Sequence, residues 1–180
     1  MIKIKIAVLC FSFLIPLGSS IMAQSSIDYK KVKSLSNADK HRLEIIFKDI
    51  HQNPELAFME VRTATIVAKE LKNLGYEVTT GIGKTGVVAI LKNGEGPIVM
   101  YRADMDCNAV KETTGLPYAS TKTTKNADGI EVPLAHLCGH DLHVTWMLGV
   151  AKLMVTLKKE WKGTLIMIGQ PSEEPGGGAD

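Results

Sequence analysis

The stretch His136-Leu-Cys-Gly-His-Asp-Leu-His143 stands where an irregular segment turns into a helix, and its flanking segments decide the fold. The apolar periodicity that follows predicts a helix from Asp141 to about Lys159. Its inward-facing positions are Trp146, Val150, Leu153, Met154 and Leu157. Gly163 ends the link after this helix, and the apolar run Thr164–Ile168 predicts a buried strand. A helix followed directly by a buried strand is typical of an α/β unit.

Two more helices are predicted ahead of this unit. The first begins near Asn37 or Asp39 and ends at the break His51-Gln-Asn-Pro-Glu-Leu56, where a residue before proline is driven away from helical angles. Its apolar positions are Leu43, Ile46, Phe47 and Ile50. A second helix is predicted from about Glu60 to Leu74, with Gly75 as its C-cap.

Short strands follow the second helix. They are predicted at Tyr76–Thr80, Gly86–Leu91 and Pro97–Arg102, and the last of them runs into Asp104 and Asp106. Residues 113–135 form an excursion whose hairpin turn is predicted at Asn126-Ala-Asp-Gly129. The alternation of helix and strand predicts an α/β sandwich with a largely parallel or mixed sheet.

Residues 1–23 have the features of a signal peptide. Lys3 and Lys5 precede the apolar run Ile6–Leu17, and small residues lead to a cleavage point after Ala23. The apolar run is too short to predict a stable membrane span, although an uncleaved anchor is the alternative. Residues 24–36 are predicted to be a loose lead-in to the domain at 37–180. The sequence therefore predicts an exported protein, either periplasmic or secreted.

Charge and cysteine content exclude some classes of function. Of 21 Lys and Arg residues, Lys3 and Lys5 lie in the predicted signal peptide, which leaves 19 basic against 19 acidic residues. A nearly neutral chain with scattered lysines does not predict binding to nucleic acid. Outside the signal peptide only Cys107 and Cys138 remain, and two cysteines do not make a disulfide framework.

The residues around Gly139 predict a metal site. The glycine lets Cys138 and His140 turn toward one point, and His143 lies one helical turn further on. Thiolate and imidazole bind borderline divalent metals such as zinc. The alternative is an ordinary buried cysteine with surface histidines, and His136 is better explained as a loop residue or second-shell partner than as a ligand.

Two pairs of carboxylates are predicted to follow strands. Glu173 and Glu174 come directly after the strand that ends near Gln170, and consecutive side chains there point in different directions. One carboxylate could then bind a metal while the other contacts the attacking water; a solvated loop pair is the alternative. Asp104 and Asp106 lie past the end of another strand, where α/β sheets bind ligands. Their alternative role is to cap a turn or helix.

Four motifs together resemble a known family. They are His51-Gln-Asn-Pro-Glu-Leu, Arg102-Ala-Asp-Met-Asp, His136-Leu-Cys-Gly-His-Asp-Leu-His and Gln170-Pro-Ser-Glu-Glu-Pro-Gly-Gly-Gly-Ala. In this order they resemble the amidohydrolase branch of the aminoacylase and carboxypeptidase metallopeptidases, which includes hippurate hydrolases and auxin-conjugate hydrolases. The resemblance covers about 37–180 and implies the N-terminal part of a three-layer α/β/α catalytic domain of the zinc-peptidase type.

The resemblance also implies roles for individual residues. Cys138, His140 and Glu174 would be metal ligands, and Glu173 would be the general base acting on metal-bound water. Asp106 would orient the site. The remaining candidates would lie around the ligands, and the resemblance assigns them no definite role: Asp104, Asp141, His143, His136 and Cys107. The implied reaction is amide hydrolysis of N-acyl amino acids or similar conjugates with two divalent ions, zinc or manganese. The implied partners are a small-molecule acyl amino acid or peptide and, for the complete protein, a second copy in a homodimer.

The sequence departs from the family pattern in two ways. Cys107-Asn-Ala109 replaces the usual Ala-Leu-Pro, which raises the hypothesis that Cys107 and Cys138 form a disulfide on oxidation and expel the metal. The family is roughly twice as long, with a lid and dimerisation domain and further histidine ligands, whereas the last histidine here is His143. The chain alone is therefore expected to be a truncated and inactive form. The alternatives are a dipeptidase or carboxypeptidase of the same family, or a non-catalytic metal-binding module.

Overall fold

The computed structural model describes residues 28–179. In this range the elements are α1 (Tyr29–Gln52), α2 (Val61–Asn73), β1 (Glu77–Ile82), β2 (Gly86–Asn93), β3 (Ile98–Asp104), β4 (Thr123–Lys125), β5 (Glu131–Pro133), α3 (His140–Thr156) and β6 (Gly163–Gln170). The signal peptide predicted for 1–23 lies outside the described residues. Among the helices that are described, none is long and apolar enough to cross a membrane.

Helix α1 begins earlier than the sequence predicts. It begins at Tyr29, so residues 29–36 are helical and not the loose lead-in expected there. The reason is an N-cap that apolar periodicity does not reveal: the Asp28 carboxylate accepts hydrogen bonds from the backbone N–H groups of Lys30 and Lys31, at 3.0 and 3.1 Å. A capping aspartate satisfies N–H groups that have no partner within the first turn. The polar composition of these residues hid a regular helix.

The main sheet is mixed, as predicted. Its strand order is β1-β2-β6-β3; β1 and β6 run antiparallel to β2, whereas β3 and β6 run parallel. Asp104 at the end of β3 is the register partner of Gln170 at the end of β6. The segments that leave these two strands therefore start side by side at one edge of the sheet.

The three helices cover one face of the sheet. The buried core joins Ile50 of α1, Val67 and Leu71 of α2 and Met147 and Leu148 of α3 to the sheet. On the sheet side the core residues are Val87, Ala89, Leu91, Ala103, Leu165 and Met167. On the opposite face the alternating side chains stay partly exposed: Val88, Ile90, Ile166 and Ile168 are half-buried, and Met100 is 63% exposed. The α/β class is confirmed, and residues 28–179 form two of the three expected layers.

The excursion after β3 folds back on itself. β4 and β5 form an antiparallel hairpin, and the Asn126 side chain accepts hydrogen bonds from the N–H groups of Asp128 and Ile130 in the predicted turn. An isolated bridge between Asn108 and Ala135 then brings the returning chain beside the segment that follows Asp106. This bridge places the segment around Cys138 next to the ends of β3 and β6.

Candidate metal centre

Asp106 connects the parts of the site. It is fully buried, and its Oδ2 accepts a hydrogen bond from the Glu174 N–H at 3.0 Å. Its backbone oxygen lies 2.8 Å from His140 Nδ1, and its Oδ1 lies 3.3 Å from the same nitrogen. Burial alone would raise the pKa of Asp106, but hydrogen bonds from His140, Glu174 and Glu173 hold it below its usual value. Asp106 thus fixes α3 relative to the strand end that carries Glu173 and Glu174.

His140 presents its free nitrogen to both glutamates. It is the first residue of α3, and Gly139, the N-cap, has a φ of 77°, a left-handed conformation that favours glycine. With Nδ1 held by Asp106, Nε2 lies 3.6 Å from Glu173 Oε2 and 3.9 Å from Glu174 Oε1. Burial lowers the pKa of His140, but the hydrogen bonds and charge of Asp106 outweigh it and raise that pKa to about 9.

A second group of donor atoms shares His140. Asp104 Oδ2 lies 3.4 Å from His143 Nδ1, and the rings of His140 and His143 are 5.3 Å apart. The ligand atoms of Asp104, His140 and His143 lie within 4.8 Å of one another, as do those of His140, Glu173 and Glu174. The fold therefore gathers five of the residues singled out in the sequence into two adjoining groups.

The two cysteines lie at the margin of the site. Cys138 is exposed, belongs to neither group, and has its Sγ 3.6 Å from Asn108 Nδ2. A hydrogen bond with Glu174 and the charges of both glutamates raise the pKa of Cys138. Cys107 is buried, which raises its pKa to about 12. Both are free thiols in this structure, and the disulfide hypothesised for the oxidised protein stays a prediction.

His136 and Asp141 belong to neither of the two groups. His136 is 6% exposed, and among residues 28–179 neither of its ring nitrogens has a hydrogen-bond partner. Burial lowers the pKa of His136 to about 4, so its ring is neutral at pH 7. Asp141 is also buried, and its Oδ2 contacts His51 Nδ1 at 2.6 Å and not a member of either group. His136 therefore lies in the loop before α3, as predicted, and is buried there.

Glu60 is a structural residue of the site that the sequence did not reveal. It is fully buried, and its Oε1 accepts hydrogen bonds from the N–H groups of Phe58 and Ser172, at 2.9 and 2.8 Å. Its Oε2 accepts a hydrogen bond from the Thr85 hydroxyl. Ser172, with a φ of 52°, lies directly before Glu173. The sequence signals only that Glu60 lies at a helix start, because the partners of its carboxylate are far away in the chain.

The donor atoms suit a divalent ion. Imidazole nitrogens and carboxylate oxygens bind zinc at about 2 Å, so ligand atoms of one ion lie roughly 3–4 Å apart. The separations of 3.6 and 3.9 Å from His140 Nε2 to the glutamates meet this requirement. A mixed α/β sheet with such a donor set at the ends of parallel strands is typical of metal-dependent hydrolase domains.

Comparison with known proteins gives the family. Residues 100–180 match the model of peptidase family M20/M25/M40. The chain is 44% identical over 137 residues to the hippurate hydrolase of Campylobacter jejuni, covering 76% of this chain and 33% of that protein. It is 40% identical over 134 residues to an IAA-amino acid hydrolase (ILR1-like 4) of Arabidopsis thaliana, covering 74% of this chain and 28% of that protein.

A solved structure agrees with the sequence matches. A dinuclear metal-binding peptidase of the M20 family from Bacillus subtilis superposes with a TM-score of 0.68 at 34% identity, covering 82% of this chain and 38% of that one. Residues 100–180 therefore carry a domain of peptidase family M20/M25/M40. The chain spans about a third of the length of the relatives it matches.

Proposed function

We propose that the protein is a metal-dependent amidohydrolase that cleaves N-acyl amino acids or similar conjugates. The observation that carries this proposal is the position of Glu173 and Glu174, both of which face His140 Nε2, at 3.6 and 3.9 Å. A site that only stored a metal would need ligands but no second carboxylate beside them. The relatives named as hippurate and IAA-amino acid hydrolases support the same class of reaction.

His140 and Glu174 are assigned as metal ligands, with Cys138 joining them from the rim beside Glu174. Asp106 orients His140 through Nδ1 and holds the Glu174 backbone, so it sets the distance between two ligands. Asp104 and His143 form the second group together with His140, and this group suits a second ion. A divalent ion, zinc or manganese, supplies Lewis acidity and lowers the pKa of water at the site.

Glu173 is assigned as the general base. Its side chain is 41% exposed, so it reaches solvent and substrate more freely than Glu174, at 25%. Glu173 accepts a proton from the attacking water, whose oxygen bonds to the amide carbon of the substrate. The same proton passes to the nitrogen as the C–N bond breaks, which gives a carboxylate and an amine. Asp106 keeps His140 aligned throughout.

The isolated 180-residue chain is proposed to be inactive. Each candidate group supplies only three residues, and the half-buried apolar residues Val88, Ile90, Ile166 and Ile168 leave one face of the sheet without a cover among residues 28–179. Two ions need about four ligands each, water included. The complete enzyme is proposed to supply further ligands, to cover this face and to act as a homodimer. Export to the periplasm or medium, directed by residues 1–23, is part of the same proposal.

A hydrolysis assay tests the proposed function. The full-length protein encoded by the gene, loaded with zinc or manganese, is expected to cleave N-acetyl or N-benzoyl amino acids faster than dipeptides. Glu173→Gln is expected to lower kcat by at least about 100-fold, because general acid–base catalysis contributes about 10²–10⁴-fold. Glu95→Gln, a change at an exposed turn glutamate, is the matched control.

Other outcomes would select the alternatives. Faster cleavage of dipeptides would favour the dipeptidase or carboxypeptidase of the same family. Tight metal binding with no turnover of either substrate class would favour the non-catalytic metal-binding module. Wild-type kcat in Glu173→Gln would contradict the role of Glu173.

A further inference from the structure

A buried cluster of charged side chains lies behind the metal groups. His51, in the last turn of α1, has Nδ1 2.6 Å from Asp141 Oδ2 and Nε2 3.1 Å from Glu112 Oε1. His51 and Glu112 are each 8% exposed and Asp141 is 2% exposed. Neither the proposed reaction nor the two donor groups uses this cluster.

The arrangement makes His51 a charged bridge. Both ring nitrogens face a carboxylate oxygen, so both act as donors, which is the state of the imidazolium ion. Burial lowers the pKa of His51, but its bonds to Asp141 and Glu112 outweigh burial and raise it. The rings of Phe47 and Tyr118 also pack against the His51 ring, with centroids 5.5 and 5.4 Å away. One residue thereby ties together α1, the excursion after β3 and the first turn of α3.

The motif that begins with His51 (His51-Gln-Asn-Pro-Glu-Leu56) also contacts the opposite side of the site, through Glu55. The Glu55 backbone oxygen accepts a hydrogen bond from the Cys107 N–H at 2.9 Å, next to Asp106. The Glu55 carboxylate accepts hydrogen bonds from the N–H groups of Arg62 and Thr63, at 2.9 and 2.8 Å, which anchors it to α2. Pro54 has a fixed φ and restricts the backbone angles of Asn53. The distance between His51 and Glu55 is therefore confined to a narrow range.

We infer that the segment His51–Glu55 is a brace that sets the spacing of the metal site, with His51 as its positioning residue. At one end His51 holds Asp141, and therefore the adjacent ligand His140. At the other end Glu55 holds Cys107, and therefore the adjacent Asp106. The brace holds the backbone on both sides of the direct contact between His140 and Asp106 without touching the metal. This inference rests on the proposed function, since it concerns the geometry of the proposed metal site.

Cobalt binding tests the brace. Co²⁺ is titrated into the metal-free protein as its gene encodes it, and affinity and ligand-field absorption are measured for wild type and His51→Gln. His51→Gln is expected to weaken Co²⁺ binding by about tenfold and to shift the absorption bands, since outer-shell partners are worth about 10–100-fold in affinity. His41→Gln, an exposed histidine of the same helix, is the matched control and is expected to stay within about twofold.

A double variant separates positioning from general stability. Adding Asp141→Asn to His51→Gln is expected to weaken Co²⁺ binding no further, because both changes break the same link. If His51→Gln does not fold, Asp141→Asn alone tests that link. A folded His51→Gln or Asp141→Asn with wild-type affinity and spectrum would overturn the brace. A wild-type protein that binds no Co²⁺ would overturn the proposed function, and the brace with it.

Discussion

At the residue scale, the site depends on buried carboxylates that accept hydrogen bonds from backbone N–H groups and are not metal ligands. Glu60 shows this most directly, because it fixes Ser172 and Phe58 through their N–H groups while also accepting from Thr85. The chain leaves β6 at this point, so Glu60 sets the direction in which Glu173 and Glu174 emerge. A carboxylate with two oxygens can accept all three bonds at once.

Replacing Glu60 is expected to cost stability. In Glu60→Gln one acceptor oxygen becomes an NH₂ group that faces donors, so a buried polar atom loses its partner. The free energy of unfolding is expected to fall by about 1–3 kcal/mol, measured by urea denaturation. Glu77→Gln, at an exposed glutamate of β1, is the control. Equal stability of the two variants would show that Glu60 does not support the strand end.

The chemistry-bearing residues were predictable from sequence to different degrees. Asp104, His140, His143, Glu173 and Glu174 were singled out by residue type and by their place after strands or at a helix start, and the fold brings all five together. Glu112 and Glu60 gave no such signal, and His51 was noticed only as the first residue of a motif, with no role assigned. Their partners are 61 or more residues away for His51 and 112 for the Glu60–Ser172 bond, and no local pattern encodes such pairs.

At the element scale, the type of each element was easier to predict from the sequence than its first and last residues. The three helices and strands β1, β2, β3 and β6 were predicted at least in part from apolar periodicity, whereas of the hairpin β4–β5 only the turn was predicted. In α3 the periodicity gave the wrong face for Trp146, which is 55% exposed. Helix α1 begins at Tyr29 because a single capping aspartate, Asp28, decides the start, and its polar first turns show no strong periodicity. Residues 29–36 are therefore helical, although their polar composition predicts a loose lead-in.

Asp28→Ala tests the start of α1. Loss of the cap is expected to lower the free energy of unfolding by about 1 kcal/mol, and amides of residues 32–36 are expected to exchange faster with solvent. Hydrogen exchange measured by mass spectrometry checks this, with the exposed hairpin residue changed in Asp128→Ala as control. Amides that exchange at unfolded rates even in wild type would place the helix start near Asn37 instead.

At the scale of the whole molecule, the sheet explains why the site lies where it does. β3 and β6 run parallel and end in register, so the segments after Asp104 and Gln170 begin together. Asp106 and Glu174 then meet through a direct hydrogen bond. The mixed sheet was predictable from alternating elements, but its strand order was not, because β6 inserts between β2 and β3. Strand insertion depends on long-range pairing that local sequence patterns do not specify.

The central claim is that the adjacent residues Glu173 and Glu174 have different chemical roles. Glu174 is proposed to bind the metal, and Glu173 to move the proton. The most direct test is the zinc affinity of Glu174→Gln and Glu173→Gln, measured by competition with a chromophoric chelator in the protein as its gene encodes it. Glu174→Gln is expected to bind zinc at least about tenfold more weakly than wild type, because a ligand is lost, while Glu173→Gln stays within about threefold. Equal losses in both variants, or no loss in either, would contradict the division of roles.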